Sequence, residues 1–544
     1  MMTDAAVNNA REDLPPSRDD ATAADERIWG RSFSVFDVFA RNISMDYCGL
    51  GLEMVVGVVM LPFNIAHLGQ SAYGLWVLAA SITAYFSMLD LGYGVAQVKF
   101  AAQYRARRDH RGLNEIVSTL FFFFTLVGLA AMGVGALLAF NLERLFNVTP
   151  DQADVGRKVL LIITAYVAVG FPFSVFGGIV NGFQRHFMNG SIAIATTIIV
   201  AVANLAVLLA GYGLVELVAT TTSIRLLAYI GYRLNAYRAF PALKIRPRFI
   251  KLARLREVTG FSAFILLIDI ANKINYSTDT IVIGAFMGTI AIAVWAVAQR
   301  LITTVQNMTS QLSGSLFPII VDFATHDDGE RLRRVFVQGT RITLAMVLPM
   351  SAGLVLLAEP LVQAWVGPNF QGSVPIIYVL AAAITVRVAT SPASMLLKGA
   401  ERHRLVAFVN LVMALTNLIL SIVLVRWFGL IGVALGTLIP VVLGAGAVIF
   451  PAACRRVEMP VINALGEAVW PALWPVALMV LMLAATRNLF GANLIYIALQ
   501  CIAAGLVYAL VFLLFAIRHD ERQWYADKIR QLFGRKHSAA AAEA

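Results

Sequence analysis

Asp269, Asn272, Lys273 and Tyr276, followed by Asp279 or Thr280, recur at helical spacing inside an apolar run from about 257 to 286. One face of that segment is therefore polar along its length. A second stripe, Arg300, Thr303, Asn307, Ser310 and Gly314, with Gln299 and Gln306 beside it, follows in the run 289–320. Near the start of the chain Asn42, Asp46, Gly49, Glu53 and Gly57 step by three or four, and Thr83, Ser87, Asp90 and Gln97 mark a fourth face. Each run is long enough to cross a bilayer, because about 20 helical residues at about 1.5 Å each match the hydrocarbon thickness. A charge at the centre of such a run costs roughly 2.5 to 3.5 kcal/mol on insertion scales unless it faces protein or water. These faces are candidate linings of a cavity, or contacts to something inside it. For Asp269 and Lys273, at i and i+4, mutual neutralisation is the competing role.

No catalytic constellation accompanies the stripes. All seven histidines fall outside the centres of the apolar runs, and Cys48, Cys454 and Cys501 are scattered, so neither a metal site nor a disulfide framework is implied. The longest external connections, 141–158 and 358–372, are too short for an enzyme domain. A membrane polysaccharide polymerase or ligase would need a large external loop with basic and histidine residues, which speaks against that enzyme class.

The elements that position these residues follow from composition. A chain of 544 residues that is 59% hydrophobic and 14% charged, with mean hydropathy +0.75, is outside the range of soluble proteins. It reads as an all-α, polytopic membrane protein. The net charge of +11 fits cytoplasmic loops facing anionic lipid better than nucleic acid. Two spans, roughly 42–66 and 73–97, open the chain. Twelve more follow at about 113–140, 159–181, 187–211, 213–236, 257–286, 289–320, 335–358, 373–397, 404–426, 429–453, 462–486 and 491–517. Alternate connections hold 33 and 5 of the 43 Lys and Arg residues, so both termini are expected on the cytoplasmic side and the span number should be even. The remaining cations, Arg225, Lys273, Arg300, Arg341 and Arg387, lie in or near the ends of spans.

An internal repeat sets the domain plan. Gly69 and Trp76 correspond to Gly288 and Trp295 at an offset of 219; NGFQRH (181–186) matches KGAERH (398–403) at 217; Gly213-Leu214 recurs as Gly429-Leu430 at 216. Two six-helix bundles in the same orientation are expected, 33–240 and 257–455, pseudo-symmetric about an axis along the membrane normal. Two added spans lie at 461–517. The segments 1–32 and 518–544 read as cytoplasmic tails, the first disordered and with no cleavable signal. The basic connection 241–256 reads either as an amphipathic linker on the inner leaflet or as a solvated loop. Pro172 and Pro392, equivalent in the repeat, are candidate bending points.

The run LPFNIAHLGQSAYGLWVLAASITAYFSMLDLGYGVAQ resembles the opening of the polysaccharide transporter family. These are flippases of lipid-linked oligosaccharides, of O-antigen or exopolysaccharide type, in the superfamily that also holds multidrug and toxin extrusion antiporters and the lipid II flippase. The resemblance rests on the exit of span 1 into Leu68-Gly69, the YGLW entry at Tyr73 to Trp76, and LDLGYG at Leu89 to Gly94. It implies two bundles around a central cavity, alternating access, and outward movement of an undecaprenyl-diphosphate-linked glycan across the bacterial inner membrane, with no enzymatic step and no cofactor. Under that implication Arg300, Lys273, Arg387 and Arg225 are the anion contacts, because guanidinium groups hold phosphate oxygens bidentately, and Asn307 and Asn272 stand beside them. Proton or sodium coupling, common in the superfamily, would fall on Asp46, Glu53, Asp90 and Asp269. The expected partners are the lipid-linked substrate, membrane lipid and polymerase or export proteins, with the protein itself a monomer. The rival readings are a lipid II flippase and a multidrug antiporter; buried cations and spans 13 and 14 count against the antiporter.

Overall fold

Long apolar runs with few breakers leave the backbone one way to satisfy its polar groups within a bilayer, and the chain takes it. The computed structural model describes residues 35–256, 258–259, 278–325, 329–400, 402–487 and 493–516, and no strand occurs among them. Among the described residues, eleven helices are long and apolar enough to cross a membrane. Two of these carry a glycine outside helical geometry, Gly69 (φ 79°, ψ 164°) within Tyr47–Asp90 and Gly429 (φ 58°, ψ −134°) within Arg404–Arg456. Positive φ is open to glycine at little cost, so each is a pair of spans turned at that residue. With the expected span over 257–286 largely outside the described residues, the set is consistent with fourteen.

The chain divides into two compact units, Met1–Lys273 and Ile274–Ala544. In unit 1, α1 (Val35–Ala84) runs through a tight turn at Tyr85–Asp90 into α2 (Tyr93–Ala106), followed by α3 (His110–Phe140), α4 (Pro150–Gly182), α5 (His186–Leu209) and α6 (Leu214–Ala239). The sequence Thr-Pro-Asp-Gln starts α4 as a capping box: Gln152 N–H donates to Thr149 Oγ1 and Thr149 N–H to Gln152 Oε1, with Pro150 preset for the first turn. Helices α3 and α4 pack closely because Gly128 and Gly135 face Ala168 and Thr164; a Cβ at either glycine would lie 2.3 Å from its neighbour.

The basic connection 241–256 holds a short helical stretch at 252–256. It is docked along the first turns of α3. Asn114 donates to the Ala242 carbonyl and accepts from Lys244 N–H, Ser118 donates to the Lys244 carbonyl, and Thr119 accepts from Lys251 N–H. Glu115, 2% exposed, sits in their midst. Lys251 Nζ approaches it at 2.6 Å, Arg254 at 3.1 Å and Arg111 at 3.4 Å, and Arg254 also donates to the Tyr104 hydroxyl. Its basic side chains stay largely exposed, and the contacts that dock its backbone could not be read from sequence because the residues that make them are far away along the chain.

In unit 2 the described helices are α7 (278–286), α8 (Thr289–Thr325), α9 (Gly329–Val366), α10 (Ser373–Ala389), α11 (Ser391–Gly399), α12 (His403–Val441), α13 (Phe450–Arg456), α14 (Trp470–Thr486) and α15 (Leu494–Val511). The repeat is visible in backbone detail. Gly69 and Gly288 both take positive φ, 79° and 86°. Phe183 and Arg185 N–H donate to the Ile179 and Val180 carbonyls, and their counterparts Ala400 and Arg402 donate to Leu396 and Leu397. The prolines do not act alike: Pro172 lies inside an unbroken α4, whereas Pro392 opens α11 after a break at Thr390. Buried Arg341 on α9 donates twice, at 3.0 and 2.8 Å, to the carbonyl of Glu467 in the π-helical turn Leu465–Val469 that precedes α14. A π-turn leaves a carbonyl without its usual partner, and this cation clamps the added helices to the bundle.

Candidate functional site

The site in unit 2 begins with close helix packing. Gly429 turns α12 back on itself, and Gly432 and Gly436 let the two arms meet: a Cβ at Gly436 would lie 2.5 Å from Ser421 Oγ. Asn417 and Ser421, one turn apart on the first arm, thus face Thr437 on the second. Asp279 of α7 enters between them, 6% exposed. Thr437 donates to its Oδ2 at 3.1 Å and Ser421 to its Oδ1 at 3.4 Å, while Asn417 Nδ2 donates to Thr437 Oγ1 at 3.0 Å. Asn417 Oδ1 is buried with no hydrogen-bond partner. A carboxylate and two hydroxyl oxygens therefore meet at one buried point, with the Asn417 amide N–H backing Thr437, an arrangement suited to a small hard cation or to a proton on the carboxyl.

Asp279 also borders a cavity of about 60 Å³ with Trp295, Gln299, Gln306 and Arg387, room for several waters. Trp295 Nε1 donates to Gln299 Oε1 at 3.0 Å, which orients the amide at the cavity wall. Arg387 brings a guanidinium from α10 to the same cavity as the acid. One side of the chamber can thus hold a cation and the other an anion.

The sites expected from sequence are distributed otherwise. Arg387 lines this cavity. Arg300 and Asn307 are half-buried on α8 beside the lining residues Gln299 and Gln306, on an adjacent strip. Arg225 is exposed midway along α6. Asp90 caps α2, both carboxylate oxygens accepting from Gly94 N–H at 3.1 Å. Glu53 is exposed on α1, and Asp46 lies in the same helix. Asp269, Asn272 and Lys273 lie outside the described residues. Asn417, Ser421 and Thr437 were not foreseen, although a polar pair at i and i+4 in the apolar run 404–426 was a readable signal.

The fold is that of known flippases and transporters. The solved structure of "Lipid II flippase MurJ, inward closed conformation" superposes with a TM-score of 0.68 at 16% identity, covering 90% of this chain and 99% of that one. An inward-facing multidrug resistance MATE family transporter of the MOP superfamily gives 0.56 at 16% identity over 74% and 98%. Among relatives by sequence, "Probable flippase AglR" of Haloferax volcanii is 23% identical over 79% of this chain and 86% of its own length. "Succinoglycan biosynthesis transport protein ExoT" of Rhizobium meliloti is 23% identical over 59% and 61%. The family model described as "Polysaccharide biosynthesis protein" matches residues 67–375, which run from the end of the first span into α10. With a repeated helical fold and a polar, charged chamber within its spans, the chain is a multi-pass membrane protein and belongs to this polysaccharide biosynthesis family.

Proposed function

We propose that the protein carries an undecaprenyl-diphosphate-linked oligosaccharide from the cytoplasmic to the outer leaflet of the bacterial inner membrane, for assembly of an O-antigen, exopolysaccharide or capsule. The family match, spanning both halves of the repeat on a flippase fold, carries this reading. Arg387, Arg300 and Arg225 are the anion contacts in the described residues, and both termini face the cytoplasm, as the 33-to-5 distribution of Lys and Arg favours. Transport is by alternating access and is coupled to a proton or sodium ion held by Asp279 with Ser421 and Thr437; a carboxylate buried in a span between two hydroxyls supports an ion there. Reconstitution tests the reading: vesicles containing the protein should turn over lipid-linked oligosaccharide extracted from the host, measured as glycan exposed to a lectin. Failure to move that substrate while lipid II is moved would assign the protein to peptidoglycan instead.

A further inference from the structure

The connection 241–256 carries six cations and no acid. Its apolar residues divide into two sets. Leu243, Ile245 and Leu255 pack into the core of unit 1, whereas Ile250 and Leu252 are exposed, Leu252 at 79%. Lys251 and Arg254 turn to Glu115, while Lys244, Arg246, Arg248 and Arg256 stand exposed beside the two aliphatic residues. The docked backbone thus fixes an outer surface in which cations surround a small apolar patch.

Helix α3 gives the depth and direction of that surface. Residues 120–140 are uncharged and about 30 Å long, the thickness of the hydrocarbon, so the charged turns 110–119 lie outside it. The connection climbs those turns, from Asn114, which holds Ala242 and Lys244, to Thr119, which accepts from Lys251 N–H at 3.0 Å. Lys251 and Leu252 therefore stand level with the hydrocarbon edge. They also stand on the lipid side of α3: Glu115 and Thr119 share one helical stripe with Leu126, Leu129, Leu137 and Phe140, and these last four are exposed. Aliphatic side chains at this depth meet acyl chains, and cations beside them meet headgroup phosphates. A soluble acidic partner would match the charge but not the depth.

We propose that the connection 241–256 is a binding surface for anionic phospholipid, with the headgroup phosphate on Lys244, Arg246 and Arg248 and the acyl chains against Ile250 and Leu252. The test uses the full chain in nanodiscs that mix phosphatidylcholine and phosphatidylglycerol, one of the two with brominated acyl chains, which quench a fluorophore on contact. The fluorophore is attached at Leu252→Cys, with the exposed Cys48 and Cys501 replaced and Cys454 left buried; a label at Leu129→Cys, higher on the same stripe, is the control. Brominated phosphatidylglycerol should quench the Leu252 label with an association constant about tenfold above that of brominated phosphatidylcholine, the scale of one or two cations at a headgroup. The Leu129 label should show no preference. The preference should vanish in the triple variant Lys244→Gln, Arg246→Gln, Arg248→Gln, whose changed side chains are all exposed. It should also fade between about 0.15 M and about 1 M salt, as the screening length drops from about 8 Å to about 3 Å, and this series decides the matter if the triple variant does not accumulate. Equal quenching by the two lipids at Leu252, or a preference that survives both the triple variant and high salt, overturns the proposal. Quenching by neither lipid places the surface in water and overturns it in favour of a soluble acidic partner.

Discussion

Glu115 gives the most direct test of how the basic connection 241–256 is held. Glu115→Gln keeps the shape and removes the charge that Lys251, Arg254 and Arg111 share. Breaking a fully buried ion pair costs about 3 to 5 kcal/mol, whereas exposed pairs contribute about 0 to 1. Here the carboxylate side chain is 3% exposed, but Arg254 is 27%, Lys251 48% and Arg111 77% exposed. Water keeps part of the charge on the cations satisfied, and the hydrogen bonds from Asn114, Ser118 and Thr119 survive the change. The expected loss is therefore about 1 to 3 kcal/mol for local release of 244–256, an increase of roughly 5- to 150-fold in the open population. Limited trypsin digestion of the purified protein reads it directly, because Lys244, Arg248 and Lys251 lie in the segment, none of them before a proline, and cleavage tracks the open fraction when reclosing is fast. If cleavage in Glu115→Gln proceeds at the wild-type rate, the backbone contacts alone hold the connection and the ion cluster is incidental.

Four further outcomes follow from particular contacts. Arg341→Gln removes a charged, twofold donation to the Glu467 carbonyl, and should lower the thermal midpoint by the equivalent of about 1.5 to 3 kcal/mol; Glu467→Gln should not, since the acceptor is backbone. In the flippase reading, Arg300→Gln should insert normally yet abolish polymer export, with Arg300→Lys retaining part of it, and a fully active Arg300→Gln protein would remove Arg300 from the substrate path. A single cysteine placed in 244–256 of a functional cysteine-free protein should resist impermeant labelling from outside the cell; efficient labelling would invert the topology. Deleting residues before Arg27 should leave export nearly intact, because that stretch is polar and outside the repeat.

Hydropathy, the positive-residue asymmetry and the repeat made the helical plan readable, because each depends on residue type within one span. Gly69 and Gly288 were paired on sequence and share a left-handed backbone. What stayed hidden depends on which helix meets which. Asp90 reads as a lone intramembrane acid, yet its carboxylate caps α2, because Leu91 and Gly92, at φ 52° and 74°, interrupt the helix after it. Arg341 belongs by type with the substrate cations, but a π-turn 126 residues away takes its guanidinium. Asn417 and Thr437 meet only because two glycines let the arms of α12 approach, and periodicity within either arm carries no sign of that.

The two halves of the repeat now show what the acid in unit 2 adds. By the offsets 217 and 216, Ser421 and Thr437 correspond to Asn204 and Thr221, and in unit 1 these also meet: Thr221 donates to Asn204 Oδ1 at 2.8 Å. By the offset 219, Asp279 corresponds to Met60, buried at 8% exposure. A polar contact between these arms is thus present in both units, made to Thr437 by Asn417 in unit 2, and the carboxylate is not. Because unit 1 folds with a buried methionine at the position equivalent to the acid, the carboxylate is not a requirement of the repeated fold, which favours an ionic role. Asp279→Met copies the unit 1 solution into unit 2. The expected protein accumulates in the membrane and melts near the wild-type midpoint, since Ser421 and Thr437 can turn their hydroxyls to helix carbonyls as Thr437 already approaches that of Val433 at 3.5 Å. Its transport in vesicles no longer responds to an imposed proton or sodium gradient. An Asp279→Met protein that keeps gradient-driven transport would refute the ionic role, and one that fails to accumulate would make Asp279 a structural acid that the unit 1 comparison misjudges.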